Sequence, residues 1–531
     1  MAPMPPATTA ADAIPRTPAQ RLAALHRLLV VTLLGFASGL PLALTGQAMQ
    51  AWLSVEGLDV ATIGFLSLVG LPYTFKFLWA PLMDRFDLPW LGRRRGWLVA
   101  TQLALALGLF VLAGTSPKGA TQAFALLAVA VAFMSASQDV VIDAYRTDLL
   151  PAHERGLGAS MAVAGYRLAM ILSGGIALIW TDSQQGGGWS WPEVYRLMAW
   201  LMIGTAAVSA TLLPRLVAPA MAPASSVAIR HDLLGFVAVV AAVAVGYAVT
   251  DRLVAPAVRS LMAPLWQGSA LGTALQGRWA DLVSLLVGIA ITLPLAAWAA
   301  HRARFETLLS GLANYFSQPG AVAFLLFIVL YKLGDAFAGS LMTPFLLQSM
   351  AFSPAEVGVV NKVIGLWLTI AGAVVGGALM FKLGLWRALL LFGVLQMASN
   401  LGFWWLAVSG KGLMPGLVIP AFDWTFVKIA APTPVDGGLL MVIAFENLSG
   451  GMGTAAFLAF LMGLCNQRFT ATQFALLSAF ASVGRVWVGP LAGVLAESIG
   501  WPAFFVVSTV AAVPALLMLW WLRDSVRALE G

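Results

Sequence analysis

Apolar residues along this chain fall in long unbroken runs, with neither the alternation of a half-buried strand nor the one-sided stripe of a soluble helix. Six runs come first, at 28–53, 61–83, 96–115, 121–147, 157–181 and 193–213. Two follow at 233–251 and 279–300, and six more at 320–348, 356–381, 386–408, 437–464, 471–496 and 501–522. Crossing about 30 Å of hydrocarbon as a helix takes roughly 20 apolar residues, so each run predicts one transmembrane helix. Their continuity excludes an outer-membrane barrel, whose strands alternate over about ten residues. The pattern therefore predicts an all-α polytopic membrane protein with fourteen spans grouped six, two and six.

An internal echo supports duplication. Ala61-Thr62-Ile63-Gly64 opens the second run much as Ala355-Glu356-Val357-Gly358 opens the corresponding run of the second half. Gly165-Tyr166-Arg167 followed by Gly174-Gly175 is matched by Gly484-Arg485 followed by Gly489-Pro490. Repeated halves of this kind are a transporter signature, with the substrate handled where the repeats face each other. The expected organisation is a cytoplasmic tail over 1–27, a six-helix bundle over 28–214 and a connection over 215–318 carrying the two extra helices. A second six-helix bundle over 319–523 and a short tail over 524–531 follow.

Composition sharpens this picture. The chain is 60% hydrophobic and 10% charged, with a formal charge of +7. Its basic residues are scattered among the inter-helix loops, which fits membrane topology and not a nucleic-acid surface. Arg93 to Arg95, Arg215, Arg302, Arg304, Lys382, Arg387, Arg468 and Arg523 fall on one face if both termini are cytoplasmic. Arg252, Arg259 and Arg278 fit that orientation poorly, and their segment reads as an amphipathic helix lying along the interface. Cys465 is the single cysteine, so no intrachain disulfide is possible. The first 25 residues, rich in Ala, Pro and Thr, read as a flexible tail, because the apolar run after them is too long for a signal sequence.

Against this background the segment from Ser135 to Gly156 stands out, because it sets Gln138, Asp139, Asp143, Arg146 and Asp148 at the end of an apolar run. Ionisable groups inside a membrane are costly and ordinarily pair, line a water-filled path or carry function. Asp139, Asp143 and Arg146 share one helix face, and Arg167 on the next helix lies at a similar depth. An Asp139–Arg167 pair is expected, with Asp143 as the second candidate acid, and it would serve as a fixed strut or as a proton-coupled switch. Lys332 and Asp335, Glu446 and Asn447, and Arg485 supply intramembrane polar groups in the second half. All four histidines fall at helix ends, so coupling to a proton would rest on Asp139, Asp143, Asp335 or Glu446. Asp84, Arg85, Arg93 and Arg94 form a charged loop able to latch helix ends together through Asp148.

No zinc-protease motif, nucleophile elbow, P-loop or dinucleotide fingerprint occurs in a workable context, and no metal site or cofactor is expected beyond the proton as coupling ion. A polytopic membrane transferase is the rival of a different class; the 409–436 loop is the one outer loop long enough to raise it.

The Asp84-Arg85…Gly92-Arg93-Arg94-Arg95 loop resembles the signature of the major facilitator superfamily, with extra residues between Arg85 and Gly92. SQDVVIDAYRTDLLPAHERG, the Gly165-Tyr166-Arg167…Ser173-Gly174-Gly175 helix, FENLSGGMGTAAFLAFLMGLCN and FALLSAFASVGRVWVGPLAG together resemble the AmpG-type anhydromuropeptide permeases. The resemblance runs over roughly 28–523. It implies a major facilitator fold and a permease of the bacterial inner membrane. Such a permease imports N-acetylglucosamine–anhydro-N-acetylmuramic acid, with or without peptide, from periplasm to cytoplasm for peptidoglycan recycling. It further implies dependence on the proton-motive force, a link to β-lactamase induction and antibiotic resistance, and action as a monomer in the lipid bilayer. For such a cargo Arg167, Lys332 and Arg485 would meet carboxylates, while Gln47, Gln50, Gln138, Asn400 and Asn447 would meet hydroxyls and amides. The nearest rival is a facilitator for another anionic metabolite such as acetyl-CoA.

Overall fold

A computed structural model of the chain describes residues 17–80, 83, 91–150, 155–184, 187–214, 226–267, 271–317, 320–424, 427–464 and 470–530. Eleven helices among these residues are long and apolar enough to cross a membrane. Two shorter apolar helices, Val60–Phe75 and Ala321–Gly334, join them, and a break at Gly500 divides the last long one in two. That count is consistent with the fourteen runs of the sequence.

The first half begins with α1 (Pro18–Leu44), which starts well before the expected end of the tail at residue 27. Thr17 and Gln20 form a capping box and Pro18 takes the first helical position, so the chain is already helical there. The run breaks at Thr45-Gly46 and resumes as α2 (Gln47–Val55). Asp59 then caps α3 (Val60–Leu66), which continues through a tight 3₁₀ turn into α4 (Leu71–Phe75) and a second such turn, Lys76–Leu78. Next come α5 (Arg93–Ala113), α6 (Thr121–Leu149), α7 (Arg155–Met170), α8 (Ala177–Thr181) and α9 (Trp191–Thr211). A π-helical stretch, Ile171–Ile176, joins α7 to α8.

Glycines set the helix spacing in this half. A β-carbon on Gly35 or Gly39 of α1 would run into the backbone of Ala162 or Tyr166 on α7, and one on Gly165 into the carbonyl of Thr32. Backbone therefore lies directly on backbone, as small residues permit between membrane helices. Helix α1 also packs along α6, and α5 lies between α6 and α9.

The two extra spans are α10 (Ser226–Val249) and α12 (Thr273–Arg302), which pack on each other. The segment after α10 does not loop out. It continues through a π-helical stretch, Thr250–Val254, into α11 (Ala255–Met262) and a 3₁₀ turn, Ala263–Trp266. The expected amphipathic segment is thus a helical extension, with Leu253, Leu261 and Leu265 largely exposed. A short α13 (Glu306–Phe316) leads into the second half.

That half comprises α14 (Ala321–Gly339), α15 (Pro354–Val357), α16 (Gly365–Leu383), α17 (Leu385–Ser409), α18 (Gly437–Gly463) and α19 (Thr470–Trp521). Helix α16 lies on α18 and α14 on α19, again through glycines: a β-carbon on Gly451 would meet the Thr369 carbonyl, and one on Gly334 would meet Ala512. At Gly500 (φ 75°) the chain reverses without a loop, so α19 is two helices joined at a corner that only glycine adopts readily. The 409–436 connection is ordered into two small antiparallel sheets. In one, β1 (Leu417–Ile419) pairs with β4 (Thr433–Val435); in the other, β2 (Phe422–Trp424) pairs with β3 (Val427–Ile429). Outward-facing Leu107, Leu126, Trp200, Trp298, Trp367, Trp520 and Trp521 present the apolar surface that lipid solvates.

Substituting Gly165 by Val forces α1 and α7 apart. Such overpacking costs about 1–3 kcal/mol or more. The thermal midpoint of the detergent-purified protein should drop, whereas the same change at Gly204, which has open space around it, should leave it nearly unchanged.

Candidate functional site

Polar groups gather at three places: the facing helices of the first half, those of the second half, and the end of the molecule remote from the start of α1. In the first half, Asp139 of α6 accepts a hydrogen bond from Ser38 Oγ of α1 at 2.5 Å. One residue earlier, Gln138 Nε2 donates to the Ala37 carbonyl at 2.7 Å. The expected Asp139–Arg167 pair does not form. Helix α1 packs along both α6 and α7, and it brings the hydroxyl of Ser38 to the carboxylate. Arg167, half-buried, makes no hydrogen bond or ion pair among the described residues.

Asp143 has a different setting. It lies 3.1 Å from Arg146 Nη2 and 3.9 Å from Lys76 Nζ, and its side chain is 55% exposed. Of the two candidate acids, Asp139 is the more enclosed and Asp143 the neutralised, wetter one. Gln138 is sealed within the bundle and spends its amide nitrogen on backbone, so it ties helices together and presents no face to a cargo. Gln47 is half-buried.

At the base of this half, Arg94 Nε bonds Asp148 Oδ2 at 3.0 Å, joining α5 to the end of α6. Arg95 donates to the Ala210 carbonyl, and Tyr145 donates to the Pro214 carbonyl at 2.9 Å. The expected latch residues Asp84 and Arg85 lie outside the described residues, as does the side chain of Arg93.

In the second half, Lys332 is buried with its ammonium 5.0 Å from the centre of the Phe457 ring, which stacks on Tyr331. A cation over an aromatic face is stabilised by the ring quadrupole. Glu446 accepts from Asn447 Nδ2 at 2.7 Å, and Asn447 Oδ1 accepts from Thr369 Oγ1 at 2.8 Å. Asn400 is buried and reaches the Gly334 carbonyl at 3.4 Å. The side chains of Asp335 and Arg485 lie outside the described residues.

The far end is where the halves meet. Gln50 Nε2 donates to the Ser340 carbonyl at 2.9 Å, so this expected substrate ligand is a cross-half tie. Gln348 Nε2 reaches back to the carbonyls of Ser54 and Leu58 at 3.1 and 3.0 Å. The amide of Ala61 donates to Glu497 Oε1 at 2.9 Å, and that of Ala355 to Asp182 Oδ2 at 3.1 Å. Gly64 lies on Gly489 and Gly493, and Gly358 lies on the Gly175 carbonyl. At the near end, Arg94–Asp148 stays within one half.

Two further pieces brace the closed end. Glu356, 3% exposed, accepts from the Asp436 amide at 2.7 Å and from Lys411 Nζ at 3.2 Å, which fastens the 410–436 connection to α15. Ile429 of β3 packs there against Ile179 and Ala355. The inserted α12 supplies Arg278, which bonds Asp59 and Thr62 at 3.0 and 2.6 Å, and Trp279, which donates to Ser498 at 2.9 Å. Ser38, Thr369, Asp182, Glu356 and Arg278 were not among the expected site residues. Of these, Glu356 was open to discovery, since it sits in the segment that echoes Ala61 to Gly64.

Two helical halves that close against each other at one end and carry intramembrane polar groups define the major facilitator fold. Solved structures of that build agree in fold. A POT family transporter in complex with a thioalcohol-conjugated peptide superposes with a TM-score of 0.61 at 12% identity, covering 94% of this chain and 96% of its own. A D-xylose–proton symporter gives 0.56 at 13% identity, covering 93% and 97%. The family model described as acetyl-coenzyme A transporter 1 matches residues 27–124. The anhydromuropeptide permease of Escherichia coli (strain K12) is 42% identical over 490 residues, covering 92% of this chain and 78% of that protein. The putative transporter AmpG 4 of Rickettsia conorii is 25% identical over 94% of this chain and 97% of its own. The chain belongs to the anhydromuropeptide permease family, and it is a transporter and not an enzyme.

Replacing the buried Glu356 by Ala leaves the half-buried Asp436 amide without its acceptor and Lys411 without its counter-charge, at a cost of about 1–3 kcal/mol. The thermal midpoint of Glu356→Ala should fall clearly, and that of Glu356→Gln less, because an amide oxygen still accepts from Asp436. Equal midpoints in both variants would refute this assignment.

Proposed function

We propose that this protein imports anhydromuropeptides, N-acetylglucosamine–anhydro-N-acetylmuramic acid with or without its peptide, from periplasm to cytoplasm by proton-coupled alternating access. The supporting observation is its 42% identity with the Escherichia coli permease over nearly the whole chain. Its setting is the bacterial inner membrane with both termini cytoplasmic, and its service is peptidoglycan recycling, with the same cargo acting as signal for β-lactamase induction.

The geometry supports roles for individual residues. Arg167 offers a half-buried cation with no partner among the described residues, suited to a cargo carboxylate. Lys332 supplies a second cation, and Arg485 a third by its place in the sequence. Gln47, Asn400, Asn447 and Thr369 suit sugar hydroxyls and amides. Asp139 is the proton carrier of this reading, being the enclosed carboxylate of the first half. Asp143 is paired with Lys76 and Arg146 and serves as their counter-charge. Asp335 and Glu446 are the corresponding acids of the second half. This reading assigns the far end, where the described halves are joined, to the periplasmic side. Arg94 and Asp148 belong to the latch, with Asp84, Arg85 and Arg93, that would close the opposite end in the outward-open state.

The match of residues 27–124 to the acetyl-coenzyme A transporter model favours a second reading, transport of an anionic acyl thioester. Uptake of labelled disaccharide into sealed vesicles separates the two. The muropeptide reading expects uptake that a protonophore abolishes, that unlabelled anhydro-disaccharide competes and that acetyl-CoA does not. It also expects Arg167→Ala to lose at least tenfold in uptake with normal insertion. Competition by acetyl-CoA alone would transfer the assignment to the second reading, and protonophore-insensitive uptake would remove the proton.

A further inference from the structure

We infer that Ser38 is the positioning residue that sets how tightly Asp139 holds its proton, an inference that rests on Asp139 being the proton carrier. The hydroxyl lies 2.5 Å from Asp139 Oδ1, a length typical of an O–H donor on a charged carboxylate. Beside this bond runs a second one, from Gln138 Nε2 to the Ala37 carbonyl at 2.7 Å. Two consecutive residues of α6 therefore hold two consecutive residues of α1. The two bonds differ in kind. Gln138 is sealed and engages backbone, so its bond is indifferent to protonation and fixes the register of the helices. Ser38 engages the titrating group itself.

The position of the hydroxyl is set from the other side as well. Gly35, Gly39 and Gly165 seat α1 directly on the backbone of α7, which leaves α1 little room to withdraw Ser38. Ionisable groups face Asp139 from each element packed against it, and Lys76 is the cation whose charge reaches it. Lys76, from the turn after α4, and Arg146, on α6, both lie on Asp143. Tyr73 of α4 lies 3.4 Å from Thr45. Helix α5 carries Arg94 and Arg95 at its base, bonded to Asp148 and Ala210. Helix α7 carries Tyr166 and Arg167, and His26 and Arg27 lie in the first turns of α1. No cation lies within ion-pair distance of Asp139 among the described residues, and its direct hydrogen-bond partner there is a neutral hydroxyl.

A hydroxyl differs from a cation in being reversible. It donates to the carboxylate and so favours the charged form. When a proton arrives on Asp139, the new acid O–H donates to Ser38 Oγ. The serine hydrogen then turns to the carbonyl one helical turn back, as Thr32 already does to Leu28 at 2.8 Å and Ser137 to Phe133 at 2.7 Å. One proton enters, no charge is left unpaired, and α1 and α6 stay joined in both states.

Removing the hydroxyl selectively weakens the charged form. A hydrogen bond to a charged group is worth about 1.5–3 kcal/mol, and one pH unit corresponds to about 1.4 kcal/mol. In sealed vesicles at fixed membrane potential, Ser38→Ala should move the pH at which disaccharide uptake falls to half upward by about one unit. Ser38→Thr should keep the wild-type midpoint, and Ser38→Cys, a weaker donor of similar size, should move it in the same direction by less. An unchanged midpoint in inserted Ser38→Ala or Ser38→Cys, or an equal displacement in Ser38→Thr, would overturn the inference and leave the hydroxyl a structural tie. Asp139→Asn distinguishes the underlying reading. It should abolish protonophore-sensitive uptake; if it retains that uptake with a wild-type pH profile, the carrier lies elsewhere and both conclusions fall.

Discussion

Hydrocarbon offers no hydrogen bonds, so a backbone or side-chain polar group at membrane depth is stabilised by a partner inside the protein. This constraint organises the first half from α1 outward. Gln138 donates to backbone, Asp139 accepts from a hydroxyl and Asp143 pairs with two cations, and these contacts hold α1, α6 and the turn after α4 at fixed distances. The glycines of α1 and α7 secure those distances by letting main chains touch. Arg167 stands out in this company because it has no such partner among the described residues.

The same constraint works differently at the two ends of the molecule. At the far end, backbone groups freed by the break around Gly57, and by the starts of α3 and α15, are satisfied across the halves by Gln348, Glu497 and Asp182. Opening that end would expose several of these groups at once, and water would have to replace the lost partners. The inserted helix pair and the 410–436 connection add their own bonds to this seam through Arg278 and Glu356. They are thus components of the closed end and more than links between bundles.

Much of this was legible in the amino-acid sequence, because membrane spans are announced by length and composition alone. The apolar runs, the insertion and the unusual charges of α6 needed no tertiary information. What escaped were the partners. Ser38 is one small hydroxyl inside an apolar run and looks no different from Thr32, which merely bonds its own helix. Pairing Asp139 with Arg167 followed from depth along neighbouring helices, and it failed because a third helix, remote in sequence, reaches the carboxylate first. Glutamines 50 and 138 were equally ambiguous, since a side-chain amide suits a sugar hydroxyl and a neighbouring carbonyl alike. The early start of α1 was in principle readable from Thr17-Pro18-Ala19-Gln20, a capping box that a low-hydropathy tail disguises.

The corner at Gly500 has a mechanical meaning. It joins the two parts of α19 with no slack chain between them. One part touches Gly64 at the seam, and the other lies on Gly334, two residues from Lys332. A connection so short limits how far the two parts can separate, so they stay joined at an elbow at Gly500. Any tilt that breaks the seam must also displace the support of the helix carrying that buried lysine. The seam and the buried Lys332 are thereby linked through continuous helix, with no intervening loop.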